Sequence, residues 1–160
     1  MWLRLRRRAI VWLVPGLAVG VTMFLLIARA GQLPDPMATG WSSDGTPIQS
    51  SPRLLELAVG GFLVVLGAAF TGLAGLMVTR RFARMLIAFG HLASVGWAGH
   101  RWRVVAANVA ADRWTEAAGP RSLTVVVAAA LVAGVWGWVV SGWAEPVGPS
   151  ARGGSGAGGS

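Results

Sequence analysis

Between Arg8 and Arg29 the chain runs for twenty residues, Ala9 to Ala28, without a charged side chain. As a helix rising 1.5 Å per residue, that stretch is about 30 Å long, the thickness of a bilayer's hydrocarbon core. In lipid every backbone N–H and C=O must be satisfied within the chain, so a single apolar segment of this kind has to be helical. A cleaved signal peptide competes, since Ala28-Arg29-Ala30 loosely resembles a small-x-small cleavage site. Signal cores, however, extend over only about 7–15 apolar residues.

The same pattern returns three times. An uncharged run from Leu57 to Thr79 lies between Glu56 and Arg80-Arg81, and another covers about Leu123 to Trp143. The third candidate, Met85 to Arg103, has nineteen residues and meets His100-Arg101-Trp102-Arg103 at its far end. There the arginines can snorkel to the interface while Trp97 and Trp102 join the aromatic belt. The expected fold is an all-α integral membrane protein, a four-transmembrane-helix bundle with short loops, in a domain covering residues 1–144. Its spans are placed at 9–29, 56–79, 84–103 and 122–143.

Between the spans, residues 30–54 are rich in Pro, Ser, Gly and Asp, and Leu33-Pro34-Asp35-Pro36 and Asp44-Gly45-Thr46-Pro47 carry turn chemistry. Proline excludes a regular helix there, so this segment reads as an extracytoplasmic connecting loop. Arg80-Arg81-Phe82-Ala83-Arg84 reads as a tight cationic turn joining the second and third spans. Residues 104–118 read as a juxtamembrane helix. Asn108, Asp112 and Thr115 form its polar face, Arg113 and Glu116 stand at pairing distance, and Gly119-Pro120 ends it. Residues 145–160 have the composition of a flexible linker.

Composition agrees with lipid as the main solvent. Apolar residues make up 54% of the 160, and only 12% are charged, against roughly 25% in soluble domains. The net charge of +8 comes from fourteen arginines and no lysine. These arginines gather at the ends of apolar runs, which points to positive-inside topology and away from nucleic acid. All-Arg usage with abundant Ala, Gly and Val also hints at a GC-rich, actinobacterial genome. With the N-terminus inside, Arg4, Arg6, Arg7, Arg8, Arg80, Arg81, Arg84 and Arg152 are cytoplasmic. Four spans then return the C-terminus to the same side of a bacterial plasma membrane. Cysteine is absent, which excludes disulfides and thiolate chemistry.

Helix association in lipid relies on small residues that let backbones approach. Gly16 and Gly20 form one such pair in the first span, Ala68 and Gly72 another in the second with Gly75 nearby, and Ala130, Ala133, Gly134 and Gly137 overlap in the fourth. Either a dedicated oligomer interface or ordinary packing within the chain accounts for them.

Residues able to carry chemistry are few. Asp35, Asp44, Asp112 and Glu116 lie outside the spans, Glu56 at an interface and Glu145 in the tail. Ion-coupled pumps usually need carboxylates within the membrane, so a transporter is disfavoured. His91 falls near mid-membrane and is a functional candidate for that reason. The alternative is a neutral imidazole bonded to a neighbouring backbone carbonyl. His100 lies nine residues on, half a turn around the axis, so the two cannot share a metal on one helix. His100, Arg101 and Arg103 concentrate positive charge at the outer interface, either to bind a lipid phosphate or acidic peptide or simply to anchor the helix. No P-loop, nucleophile elbow or dinucleotide fingerprint is present, and neither an enzyme nor a cofactor or metal site is expected.

The loop from Leu33 to Pro47, with Leu33, Pro34, Asp35, Thr39, Trp41 and Gly45, resembles the L-P-x-x-x-x-T-H-W…G-x-P signature of a bacterial membrane family. That family is the domain of unknown function numbered 1648, also found at the front of SdpI-type immunity and signal-transduction proteins. The resemblance covers the first span, the loop and the second span. Asn108-Val109-Ala110-Ala111-Asp112 also runs as in actinobacterial members. Gly40 stands where members usually have His, so no role of that imidazole carries over. The likeness implies topology more than activity. In this chain Trp41 is expected in the headgroup layer, Pro34 at the exit from the helix and Gly45 in a turn.

The function expected from these features is that of a non-enzymatic accessory or partner-binding subunit. Its partners are the bilayer and, through its outer loops, another membrane protein or an amphipathic peptide, with no nucleic acid. The alternative is an SdpI-type immunity or stress-response protein against a membrane-active toxin.

Overall fold

The computed structural model describes residues 2–74, 79–120 and 122–143. The tail from residue 145, Gly75 and Arg121 lie outside them. Four helices dominate: α1 (Trp2–Arg29), α2 (Arg53–Leu73), α3 (Arg80–Asn108) and α4 (Thr124–Trp143). Two strands, β1 (Met37–Trp41) and β2 (Pro47–Ser51), pair antiparallel between α1 and α2.

Three helical segments are long and apolar enough to cross a membrane: Ile10–Gln32, Arg53–Leu73 and Thr124–Gly142. Their outward faces carry Phe24, Ile27, Val125 and Val132, each at least 70% exposed. A continuous apolar exterior of this kind is unlike that of a soluble monomer. The interior, in contrast, buries Thr22, Thr71, His91, Ser94 and Ser141.

The helices run up and down. Trp12 of α1 meets Gly72 of α2 and Met23 meets Gly61, while α2 meets α3 at Gly67 with Ser94 and at Gly90 with Thr71. Helix α4 meets α3 at Val126 with Gly99 and at Gly137 with His91. Helix α3 is therefore the centre of the bundle, with the other three packed around it. Its 29 residues extend about 43 Å, well beyond a hydrocarbon core of about 30 Å. The overhang carries the hairpin.

Three sequence expectations change here. The segment expected as an irregular loop over 30–54 is largely ordered: a 3-10 turn at Ala30–Gln32 leads into the hairpin. Proline blocks a helix but tolerates edge strands, and Pro47 opens β2 in such a place. The expected cationic turn at Arg80–Arg84 is instead the first turn of α3, and α2 stops at Leu73 and not at residue 79. Arginine is a good helix former and nothing between Arg80 and Arg84 breaks a helix, so these residues are helical. The juxtamembrane helix expected over 104–118 ends at Asn108, followed by a turn and a 3-10 segment at Trp114–Glu116. Asn108 faces the hairpin, and the chain turns back beneath it.

Packing also differs from the small-residue reading. Gly16 and Gly20 face open space, so they seat no helix among the described residues. Ala68, Gly134 and Gly137 are in the interior, where Gly134 lies against Leu92 and Gly137 against His91. Gly72 receives the Trp12 ring. The closest seam was not anticipated. A Cβ on Gly90 would stand 2.5 Å from the Thr71 hydroxyl, and one on Gly67 would stand 2.8 Å from the Ser94 backbone nitrogen. Glycine alone allows α2 and α3 to lie this close.

Candidate functional site

The hairpin sits on the end of α3 as a cap. Its core is Leu26, Leu33, Met37, Val104 and Val105, with Trp41, Leu57 and Val109 packed around them. At its centre, Asn108 is fully buried. Its Nδ2 donates to the Ala38 carbonyl at 3.0 Å and to the Val104 carbonyl at 2.8 Å, and its Oδ1 accepts from the Ala38 N–H at 2.8 Å. One amide side chain thus satisfies both backbone groups of a buried strand residue, which would otherwise be orphaned. Ala38 stands opposite Ser50 of β2, and the register slips after it, on both sides of Gly40.

The loop-signature residues build this cap. Leu33 is in its core and Pro34 is buried beside it. Asp35 Oδ1 accepts the Arg53 N–H at 3.0 Å, which caps the start of α2 from eighteen residues upstream. The Arg53 side chain returns the contact by donating to the Leu33 carbonyl at 2.9 Å. Thr39 lies within β1. Trp41 is partly buried and packs against the cap core. Gly45 adopts φ +85° in the connecting turn, a conformation that favours glycine. At Gly40, a Cβ would stand 3.0 Å from Gln49 across the strands.

Asp44 closes the turn. Its carboxylate accepts from the Ser42 hydroxyl and from the Thr46 N–H. The Ser42 hydrogen bond first, then that from Thr46, holds the Asp44 carboxyl below its ordinary value. The turn leans on the chain that follows Trp114–Glu116, with Gly45 against Gly119.

Below the cap, Arg101 of α3 makes an ion pair with Glu56 of α2 through Nη1. Both side chains are largely withdrawn from solvent, at 12% and 17% exposure. Arg101 was expected to snorkel outward; it turns inward because Gly60 leaves room for its stem against α2. His100 lies edge-on to Trp97, with ring centroids 5.9 Å apart. The expected cationic patch of His100, Arg101 and Arg103 is therefore divided. Arg101 lines a groove of about 620 Å³ between α1, α3 and α4, and His100 lines one of about 500 Å³ on the other side of the α3–α4 seam. Both grooves are otherwise almost entirely apolar.

Midway along α3, His91 is fully buried, and its Nδ1 donates to the Ile87 carbonyl at 2.9 Å. This is the backbone-bonded arrangement weighed in the sequence. Its Nε2 has no hydrogen-bond partner among the described residues, and the same holds for the Ser94 and Thr71 hydroxyls. At the opposite end of the bundle, the Arg84 guanidinium lies 4.6 Å from the Trp138 ring and donates to the Trp138 carbonyl at 3.4 Å. No group of His, Asp and Glu able to hold a metal is found among the described residues.

Two relationships were hidden in the sequence. Asn108 looked like one residue of an exposed polar face. Glu56 and Arg101 are 45 positions apart, although their places at matching ends of antiparallel spans were a signal for pairing.

Compared with protein-family models, curated proteins and solved structures, the chain matches none.

Proposed function

We propose that this chain is a four-span protein of the bacterial plasma membrane, with both termini in the cytoplasm, whose hairpin cap binds a partner on the outer side. The partner is another membrane protein or an amphipathic peptide, and the role is that of an accessory subunit without catalysis of its own. The fourth span is α3. The other three helices surround it, and its arginines are confined to its first five residues, to Arg103 and to the inward Arg101–Glu56 pair, which favours a transmembrane position. The four arginines before residue 9 against Arg29 after the first span favour the cytoplasmic N-terminus.

One observation carries the binding role. The cap is a two-stranded sheet in which Asn108 holds β1 through the Ala38 backbone, while β2 turns Ile48 outward at 66% exposure. A two-stranded sheet has two edges, and edge strands with an exposed apolar residue are ready templates for an added strand. The test is affinity purification from gently solubilised membranes with the wild-type chain and the Ile48→Asp variant. Co-purification of a defined membrane protein or peptide that Ile48→Asp loses supports the role. Recovery of the chain alone, with no peptide binding, refutes it.

A second reading rests on the loop signature at Leu33, Pro34, Thr39, Trp41 and Gly45. If the chain belongs to the family numbered 1648, an SdpI-type immunity role follows by likeness. Cells lacking the gene would then be more sensitive to membrane-active peptides; unchanged sensitivity removes this reading.

A further inference from the structure

The larger groove is short, apolar and charged at one end. Its α1 wall runs from Val14 to Leu26, a rise of about 18 Å. That is close to the depth of one leaflet, half of a core about 30 Å thick, and too short to seat a whole transmembrane helix. Ala18, Ala98 and Ala129 keep its walls thin and its volume of about 620 Å³ open, within the range of about 300–1,000 Å³ of small-ligand sites. At the hairpin end stands Arg101, and Arg29 lies one helical turn beyond the lining residue Leu25.

From this arrangement we infer that the groove seats one acyl chain of an anionic glycerophospholipid from the leaflet on the hairpin side, with its phosphate at Arg101. The inference rests on the chain lying in a bilayer, as proposed above, but not on the partner role of the cap. Charge complementarity selects the occupant. A guanidinium carries five N–H donors; Glu56 engages Nη1 and the Nε–H is shut in against Gly60, which leaves the two donors on Nη2. A lipid phosphate is a second oxyanion matched to the remaining donors, and the charge of Arg29, one turn past Leu25 and bonded through Nη1 to Gln32, favours a headgroup with net negative charge. Apolar walls accept the tail without a polar group to desolvate.

The test uses the full chain in mild detergent, titrated with phosphatidylglycerol or phosphatidylcholine, with bound lipids counted by native mass spectrometry. Phosphatidylglycerol is expected to bind about tenfold more tightly, because phosphatidylcholine shares the phosphate but adds a compensating cation beside the two arginines. The groove-filling variants Ala18→Phe and Ala98→Phe, checked for folding by circular dichroism, should lose that binding. Val132→Phe, on the outward face of α4, should retain it. Arg101→Gln alone leaves Glu56 buried and unpaired, so the double variant Glu56→Gln with Arg101→Gln is used to remove the charge, and it should bind the two lipids equally. Equal binding of both lipids by the wild type, or undiminished binding in the filled variants, overturns the inference. So does a dimer that Ala98→Phe dissociates, since a second copy would then occupy the groove. A chain that stays monodisperse in buffer without detergent would instead reveal failure of the membrane reading.

Discussion

Asn108 and Ala38, seventy residues apart, exchange hydrogen bonds in both directions: the Ala38 N–H donates to Oδ1 at 2.8 Å and Nδ2 donates to the Ala38 carbonyl at 3.0 Å. This pair joins the hairpin to the central helix. Leaving a buried backbone group unsatisfied costs about 1–3 kcal/mol. Asn108→Ala exposes two at Ala38, and the same side chain also serves the Val104 carbonyl. A loss of about 2–4 kcal/mol is expected, confined to the cap. Hydrogen exchange should show Met37–Trp41 amides losing protection while α2 and α4 keep theirs. Uniform loss across the bundle would contradict this anchoring role.

The Glu56–Arg101 pair should behave as a coupled unit. Removing one partner of a buried ion pair typically costs about 3–5 kcal/mol, whereas replacing both is often nearly neutral. Arg101→Met is therefore expected to be much more damaging than Glu56→Leu combined with Arg101→Met. A double-mutant cycle in detergent-based unfolding measures the coupling. Additive effects would mean that the two side chains act independently.

Glycines on the α2–α3 seam and on the α1 face should respond oppositely to alanine. Gly90→Ala places a methyl 2.5 Å from the Thr71 hydroxyl and 2.9 Å from its backbone nitrogen, and overpacking of this kind costs about 1–3 kcal/mol. Gly16→Ala and Gly20→Ala meet nothing within 4 Å. They should gain up to about 1 kcal/mol from helix propensity. Unfolding midpoints in mixed micelles would separate the two classes, and a loss at Gly20 would point to a second molecule on that face.

Acid should loosen the hairpin turn first. The Asp44 carboxyl is held below its ordinary value by the Ser42 hydroxyl and the Thr46 N–H. A carboxyl depressed on folding contributes stability above its unfolded pKa, about 3.9, and loses it as the pH falls through the lower folded value. Amide protection at Thr46 should therefore fall only under acid below that range, and Asp44→Asn should remove most of the pH dependence. A turn equally protected at all pH values would exclude this role for the carboxylate.

Much of the architecture was legible along the chain. Uncharged runs ending in arginines marked α1, α2 and α4, because apolar length is a property of consecutive residues. The proline- and glycine-containing signature located the segment between α1 and α2, but its ordering was not visible. Leu33, Asp35 and Trp41 acquire their roles only against Val104, Arg53 and the end of α3, all distant in sequence.

By itself the sequence determined which stretches are apolar enough to cross a membrane and roughly where they lie, since these depend on local hydropathy, charge and proline. Tertiary structure alone decided that α3 is central, that Arg101 turns inward to Glu56 and that Asn108 stops being surface and becomes the clasp of the hairpin. Those outcomes arise from backbone approach at Gly67 and Gly90 and from buried polar groups seeking partners. Neither is encoded in any single window of residues.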